Sequence, residues 1–183
     1  MTYPVHTVDT APEGAKPTLT AAQKGYGFIP NLLGVMANAP ALVAAYTTLS
    51  GIFDTSSLSP AERQTVLLTT SYENECAYCM AAHSAIAGMQ KVPQHVIDSI
   101  RAGAPIADAK LEALRQFTRM VVISRGWPTD AETAAFLAAG YGPQQVLEVV
   151  LGVGLKTLSN YTNHLAETPL DAAFAPAAWT KAA

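Results

Sequence analysis

A succession of helix starts with no strand between them limits what this chain can fold into. Pro40 sits where a first helical residue tolerates proline. Ser59-Pro60-Ala61-Glu62 combines a serine cap, a proline at the first helical position and an acid in the first turn. Pro93 and Pro143 open further helices, and Asp108 caps another. Thr129-Asp130-Ala131-Glu132 is a T-x-x-E capping box. The stops are equally plain: Gly25-Tyr26-Gly27, Gly88, Gly103-Ala104-Pro105, Gly126-Trp127-Pro128 and Gly140-Tyr141-Gly142. Between them apolar residues recur at helical spacing, as in Leu42, Val43, Tyr46, Leu49, Ile52 and Phe53, or Leu111, Leu114, Phe117, Met120, Val121 and Ile123. Asn31 is expected to cap a short helix, and Glu73 to end one just before Asn74-Glu75. The reading is an all-α protein of about nine helices.

At 183 residues the chain is read as a single domain, 1–183, with length enough for a real core. Residues 1–17, with Pro4, Pro12 and Pro17 and no apolar period, read as an extended arm lying on the surface or reaching to a neighbour. Residues 59–89 read as a helix pair, and 168–183 as a tail packed through Phe174 and Trp179. Half the residues are hydrophobic (50%) and only 14% are charged, which points to apolar surface covered by another subunit. A net charge of −3 without a basic run argues against a nucleic-acid partner. The start, Met1-Thr2-Tyr3-Pro4-Val5-His6, lacks the regions of a signal peptide, and no apolar run is long enough to span a membrane. A cytoplasmic protein with no membrane partner is expected.

The chemistry is concentrated in Glu73-Asn74-Glu75-Cys76-Ala77-Tyr78-Cys79-Met80-Ala81-Ala82-His83. It holds both cysteines in C-x2-C-x3-H spacing. On a helix, Cys79 lies about 60° from Cys76 and His83 returns to within about 20° of it, so the three share one stripe. Cys79 and His83 are an i, i+4 pair. A thiol attacks as its thiolate. A helix N-terminus near Cys76 favours that form there, and His83 can accept a proton from Cys79. The pair can close a disulfide, so the stretch offers a nucleophile, a resolving thiol and a base. The competing readings are two small core cysteines and a metal site. A closed zinc site needs four ligands, and His6, His95 or His164 would have to complete it. No metal or other cofactor is expected.

Leu58-Ser59-Pro60-Ala61-Glu62-Arg63-Gln64 followed by Cys76-Ala77-Tyr78-Cys79-Met80-Ala81-Ala82-His83-Ser84 resembles the AhpD-like, carboxymuconolactone decarboxylase superfamily, in its peroxidase-related, alkylhydroperoxidase-like branch. Gly27-Phe28-Ile29-Pro30-Asn31-Leu32 and Asn160-Tyr161-Thr162-Asn163-His164 resemble the same branch. The resemblance implies an AhpD-like multi-helix bundle that assembles as a homo-oligomer, a trimer or hexamer. It implies thiol-dependent reduction of hydrogen peroxide or organic hydroperoxides, with a separate thiol reductant. By position, Cys79 matches the attacking cysteine, Cys76 the resolving one and His83 the relay histidine. Two residues depart from the family. Gln64 stands twelve residues before Cys76, where a relay glutamate is usual, and Tyr78 replaces a histidine. Glutamine cannot ferry a proton. Glu62 and Glu73 are candidate substitutes, and Asn160 or His164 could reach the cysteines. The alternatives are a carboxymuconolactone decarboxylase-like lyase, whose substrate carboxylate would want an arginine such as Arg63, Arg115, Arg119 or Arg125, and a non-catalytic redox switch or scaffold.

Overall fold

In a computed structural model, which describes residues 2–181, the chain forms nine α-helices and no strand among those residues. They are α1 (Lys16–Tyr26), α2 (Asn31–Met36), α3 (Pro40–Asp54), α4 (Pro60–Glu73), α5 (Ala77–Met89), α6 (Gln94–Arg101), α7 (Ala109–Ile123), α8 (Asp130–Ala138) and α9 (Pro143–Ala166). Short 3-10 turns occupy Glu13–Ala15 and Ala172–Ala177.

The strongest start signals operate as the sequence implies. Ser59 accepts from the Glu62 N–H while the Glu62 carboxylate accepts from Ser59 N, and Thr129 with Glu132 repeats the arrangement. Asp108 accepts from Leu111 N at 2.9 Å. Other boundaries differ. Helix α1 begins at Lys16, inside the stretch read as an extended arm, because Pro17 falls in its first turn where a missing N–H is harmless. Asn31 does not cap α2. Pro30 holds that position, and the Asn31 N–H is satisfied by the Asp171 carboxylate at 3.0 Å, from 140 residues further on. Gly88 does not stop α5, which runs on to Met89 and turns through Lys91 at φ 60°.

Helix α4 is the central element and packs on α5, α6, α7 and α9. From Gln64 to Ser71 every residue is buried, so α4 has no solvent face over that stretch. Thr65, Thr70 and Ser71 can lie there because each hydroxyl donates to the carbonyl one turn back, at 2.8 to 2.9 Å. Gly152 of α9 permits close approach to α4: a Cβ there would stand 2.7 Å from Val66 and 2.9 Å from Phe53. On the α7–α8 side, Phe117, Phe136 and Tyr141 stack with centroids 4.3 and 4.4 Å apart.

The N-terminal segment lies against α2, and the C-terminal segment against α2, α5 and α6. His6 N donates to Gly34 O at 3.1 Å and Asn38 Nδ2 to Pro4 O at 2.9 Å. Gly34 lets this segment sit close, since a Cβ would stand 2.7 Å from Val5. At the other end Phe174 packs edge-on against Phe28 and Tyr78, and the Trp179 indole donates to Arg101 O at 2.8 Å. The Tyr78 hydroxyl donates to Asp171. Tyr78 therefore fastens the C-terminal segment to α5.

Candidate active site

The turn between α4 and α5 places the first cysteine. Asn74 ends α4, Glu75 takes a left-handed conformation at φ 55°, and Cys76 becomes the N-cap of α5. Asn160 on α9 ties this turn down, accepting from Asn74 Nδ2 at 3.0 Å and donating to Ser71 Oγ at 3.4 Å. Cys79 then falls in the first turn of α5, and His83 one turn later. Both cysteines are buried free thiols inside an apolar cluster that includes Leu32, Leu33, Met36 and Phe174.

The other wall comes from α9. Asn163 Nδ2 lies 3.2 Å from Cys79 Sγ and 3.7 Å from Cys76 Sγ, so one amide touches both sulfurs. Cys79 Sγ is also 3.7 Å from Ser159 Oγ. Lys156 is 1% exposed, and its Nζ has no hydrogen-bond partner among the described residues. The charges and dipoles that face it are the Cys79 and Cys76 sulfurs and the Tyr46 phenol. Lys156, Ser159 and Asn163 are spaced i, i+3, i+7, which puts them on one side of α9.

The two thiols are differentiated. Burial alone would raise the Cys79 thiol, but the hydrogen bond from Cys76, the Lys156 charge and the Ser159 hydroxyl outweigh it and hold Cys79 well below the ordinary thiol value. Cys76, donating towards Cys79 and buried, is pushed up. The α5 N-terminus by itself would favour Cys76 as the more acidic thiol; the hydrogen bond from Cys76, with the buried lysine charge, inclines the balance to Cys79 instead. His83 is held well below the usual imidazole value, first by burial and then by the Lys156 charge, so it is neutral at neutral pH.

His83 Nδ1 lies 3.0 Å from Gln64 Oε1, and Gln64 Nε2 donates to Gln90 Oε1 at 3.1 Å. An amide thus occupies the position next to the histidine. Neither candidate glutamate takes its place. Glu62 caps α4 and faces Lys110 at 3.4 Å, while Glu73 pairs with Arg119 at 3.3 Å. They share a stripe, as their spacing implies, but it is not the stripe of Gln64. His164 is exposed, and Asn160 holds the turn without touching sulfur. Asn163, in the same Asn160–His164 run, makes the contact. Ser159 and Lys156 had one sequence signal: they continue the Asn163 stripe of a helix that is otherwise apolar on its buried side. No arginine stands by the cysteines. Arg63 donates to Leu58 O, Arg115 pairs with Glu112, and Arg125 is exposed in the turn after α7. Among the described residues no group of three or more His, Cys, Asp or Glu side chains could hold a metal ion. No helix among them is long and apolar enough to cross a membrane.

Comparison with known proteins fits this arrangement. Residues 40–120, from α3 into α7, match the model of the carboxymuconolactone decarboxylase family. A peroxidase-related protein from Ralstonia eutropha JMP134, described as an alkylhydroperoxidase AhpD core, superposes with a TM-score of 0.82 at 22% identity, covering 94% of this chain and 93% of that one. A peroxidase-related protein from Silicibacter sp. TM1040 superposes at 0.80 with 19% identity, covering 95% and 92%. The debrominase Bmp8 superposes at 0.79 with 17% identity, covering 97% and 95%. No curated protein sequence matches. The chain is thus similar to these proteins in its all-helical AhpD-like fold along nearly its whole length, and the segment that matches the family model spans the helix pair that carries both cysteines.

Proposed function

We propose that the protein is a cysteine-based oxidoreductase that reduces hydrogen peroxide or organic hydroperoxides. Cys79 attacks, Cys76 resolves, and a separate thiol reductant returns the disulfide to thiols. The observation that supports this reading is a pair of free sulfurs under one amide, with Cys79 held low and Cys76 held high. That is the division of labour a two-thiol reaction needs: an ionised nucleophile, and a protonated partner that reacts only after a sulfenic acid has formed. Reduced thiols of this kind suit a reducing compartment such as the cytoplasm. An open groove of about 570 Å³, lined by Pro17, Ala22, Tyr26, Leu33 and Thr47, shares Ala22 and Leu33 with the apolar cluster around the cysteines. It offers an approach from the α1–α3 side.

The function also includes self-association. Leu147, Val150, Tyr161 and Leu165 form an exposed apolar stripe along α9, on the side away from Lys156 and Asn163. A 24-residue helix with such a face is suited to meet a second copy.

The test mixes fully reduced protein with a small excess of hydroperoxide and follows peroxide and thiols together. Wild type is expected to consume one equivalent and lose both thiols. Cys79→Ser should consume none, and Cys76→Ser should stop at a trappable sulfenic acid. Survival of the peroxide for hours with both thiols reduced overturns the reading. The same reduced protein offered a bromopyrrole tests a second reading, reductive dehalogenation, which the likeness to a debrominase suggests and which would use the same soft nucleophile in an apolar setting.

A further inference from the structure

The site has a nucleophile but no obvious acid. Expelling an alkoxide or hydroxide from a peroxide requires a proton at the leaving oxygen. Next to His83, where a carboxylate could hand on a proton, Gln64 cannot. Neither Glu62 nor Glu73 is placed to help. His83 itself is neutral and bonded to Gln64. The protonated group that does face the sulfurs is Lys156, which forms no ion pair with a carboxylate among the described residues.

We propose that Lys156 is the general acid of this site: it holds Cys79 ionised as its counter-charge and then gives its proton to the oxygen expelled from the peroxide. Three observations meet here. Lys156 is buried with an unpaired Nζ on the side of α9 that touches the thiols. Asn163, whose amide contacts both sulfurs, also has an unpaired oxygen, Oδ1. A buried donor and a buried acceptor without protein partners thus belong to side chains that face the same sulfur, and a hydroperoxide has an oxygen to accept and an O–H to donate. The groups around Lys156 are Cys76, Cys79 and His83 from α5, Tyr46 from α3 and Ser159 from its own helix. Burial pushes the Tyr46 phenol up, so it stays neutral.

The reaction balances with these groups alone. The Cys79 thiolate attacks the terminal oxygen of R–O–O–H. An S–O bond forms, the O–O bond breaks, and sulfur gives up two electrons. Cys79 becomes a sulfenic acid, while RO⁻ takes a proton from Lys156 and leaves as an alcohol. The neutral amine accepts the Cys76 proton as that sulfur attacks Cys79. The S–S bond forms, the S–O bond breaks, and hydroxide leaves as water with the same proton. Lys156 ends neutral beside the disulfide, so oxidation leaves no uncompensated buried charge. A dithiol reductant later supplies two electrons and two protons, one to Cys76 and one to Lys156.

This assignment rests on the peroxidase reading for its second half only, and the experiment separates the two. Thiolate absorbance of reduced protein is titrated in wild type and in Lys156→Met, with Lys156→Gln as a second variant should the first not fold. The Cys79 midpoint is expected to rise by about 1–3 pH units on losing the charge. An unmoved midpoint overturns the proposal. Peroxide consumption is then compared above the shifted midpoint, where both proteins are ionised, using hydrogen peroxide and peracetic acid. Acetate leaves without a proton, so the variant should keep its peracetic acid rate and lose about 10²-fold or more on hydrogen peroxide. Equal losses on both oxidants, or no loss on either, overturn the acid role. If wild type consumes neither, the peroxidase reading falls and takes the acid role with it, while a shifted midpoint still establishes the counter-charge.

Discussion

His83 is the residue whose environment differs most from what its spacing implies. An i, i+4 histidine reads as a base for Cys79, yet its Nδ1 faces Gln64, and burial with the Lys156 charge keeps the ring neutral. The consequence is a pH dependence of stability with a definite sign. The folded-state value lies below the unfolded ~6.5. The contribution of His83 is therefore fully present above about 6.5 and is lost as pH falls towards the folded value, because only the unfolded chain binds the proton. Denaturant midpoints measured between neutral and mildly acidic pH should fall for wild type and fall less steeply for His83→Gln. Identical slopes would show that the ring protonates as readily in the folded protein as in the unfolded one. Cys79 carries the same sign, its depressed value favouring the fold as pH rises, so the variant's slope flattens without vanishing.

At the scale of the element, α9 matters more than its sequence suggests. It brings Lys156, Ser159, Asn160 and Asn163 to the cysteine turn, and it can do so only if it lies close on α4. Gly152 sets that distance. Gly152→Ala would drive a methyl group into Val66 and Phe53, at a cost of about 1–3 kcal/mol. A loss of that size lowers the melting temperature by roughly 2–4 °C per kcal/mol. The same outward shift should retract Asn163 from the sulfurs and slow Cys79 alkylation at neutral pH. An alanine variant with unchanged melting and unchanged thiol reactivity would mean that the α4–α9 seam has slack. Helix α4, by contrast, is held by features readable in the chain: the Ser59–Glu62 capping box fixes its start, and the Thr65, Thr70 and Ser71 hydroxyls satisfy themselves on its own carbonyls.

At the scale of the whole molecule, both chain ends close over the elements that hold the site. Asp171 accepts from the α2 N-terminus and from Tyr78, two positions from Cys76, so the C-terminal segment is part of the frame around the thiols. The apolar α9 stripe is the surface most in need of cover. In sedimentation the protein should run above its 19.2 kDa monomer mass, and Leu147→Glu with Leu165→Glu should shift it towards the monomer without unfolding it, since both residues are exposed. A wild-type monomer at micromolar concentration would remove self-association from the proposed function.

The sequence alone determined the helical class, most helix starts, the break before Cys76 and the one-turn spacing of Cys79 and His83 on α5. Those features are local, written in caps, prolines, glycines and a 3.6-residue period that act over a turn or two of chain. What surrounds the sulfurs was decided by tertiary structure. Lys156, Ser159 and Asn163 lie about 80 residues from Cys79, and nothing local says which side of α9 will meet α5. Asp171 satisfies Asn31 across 140 residues for the same reason. The ionisation of the two thiols also belongs to the folded molecule, because it depends on a buried charge that only close packing can hold beside them without water.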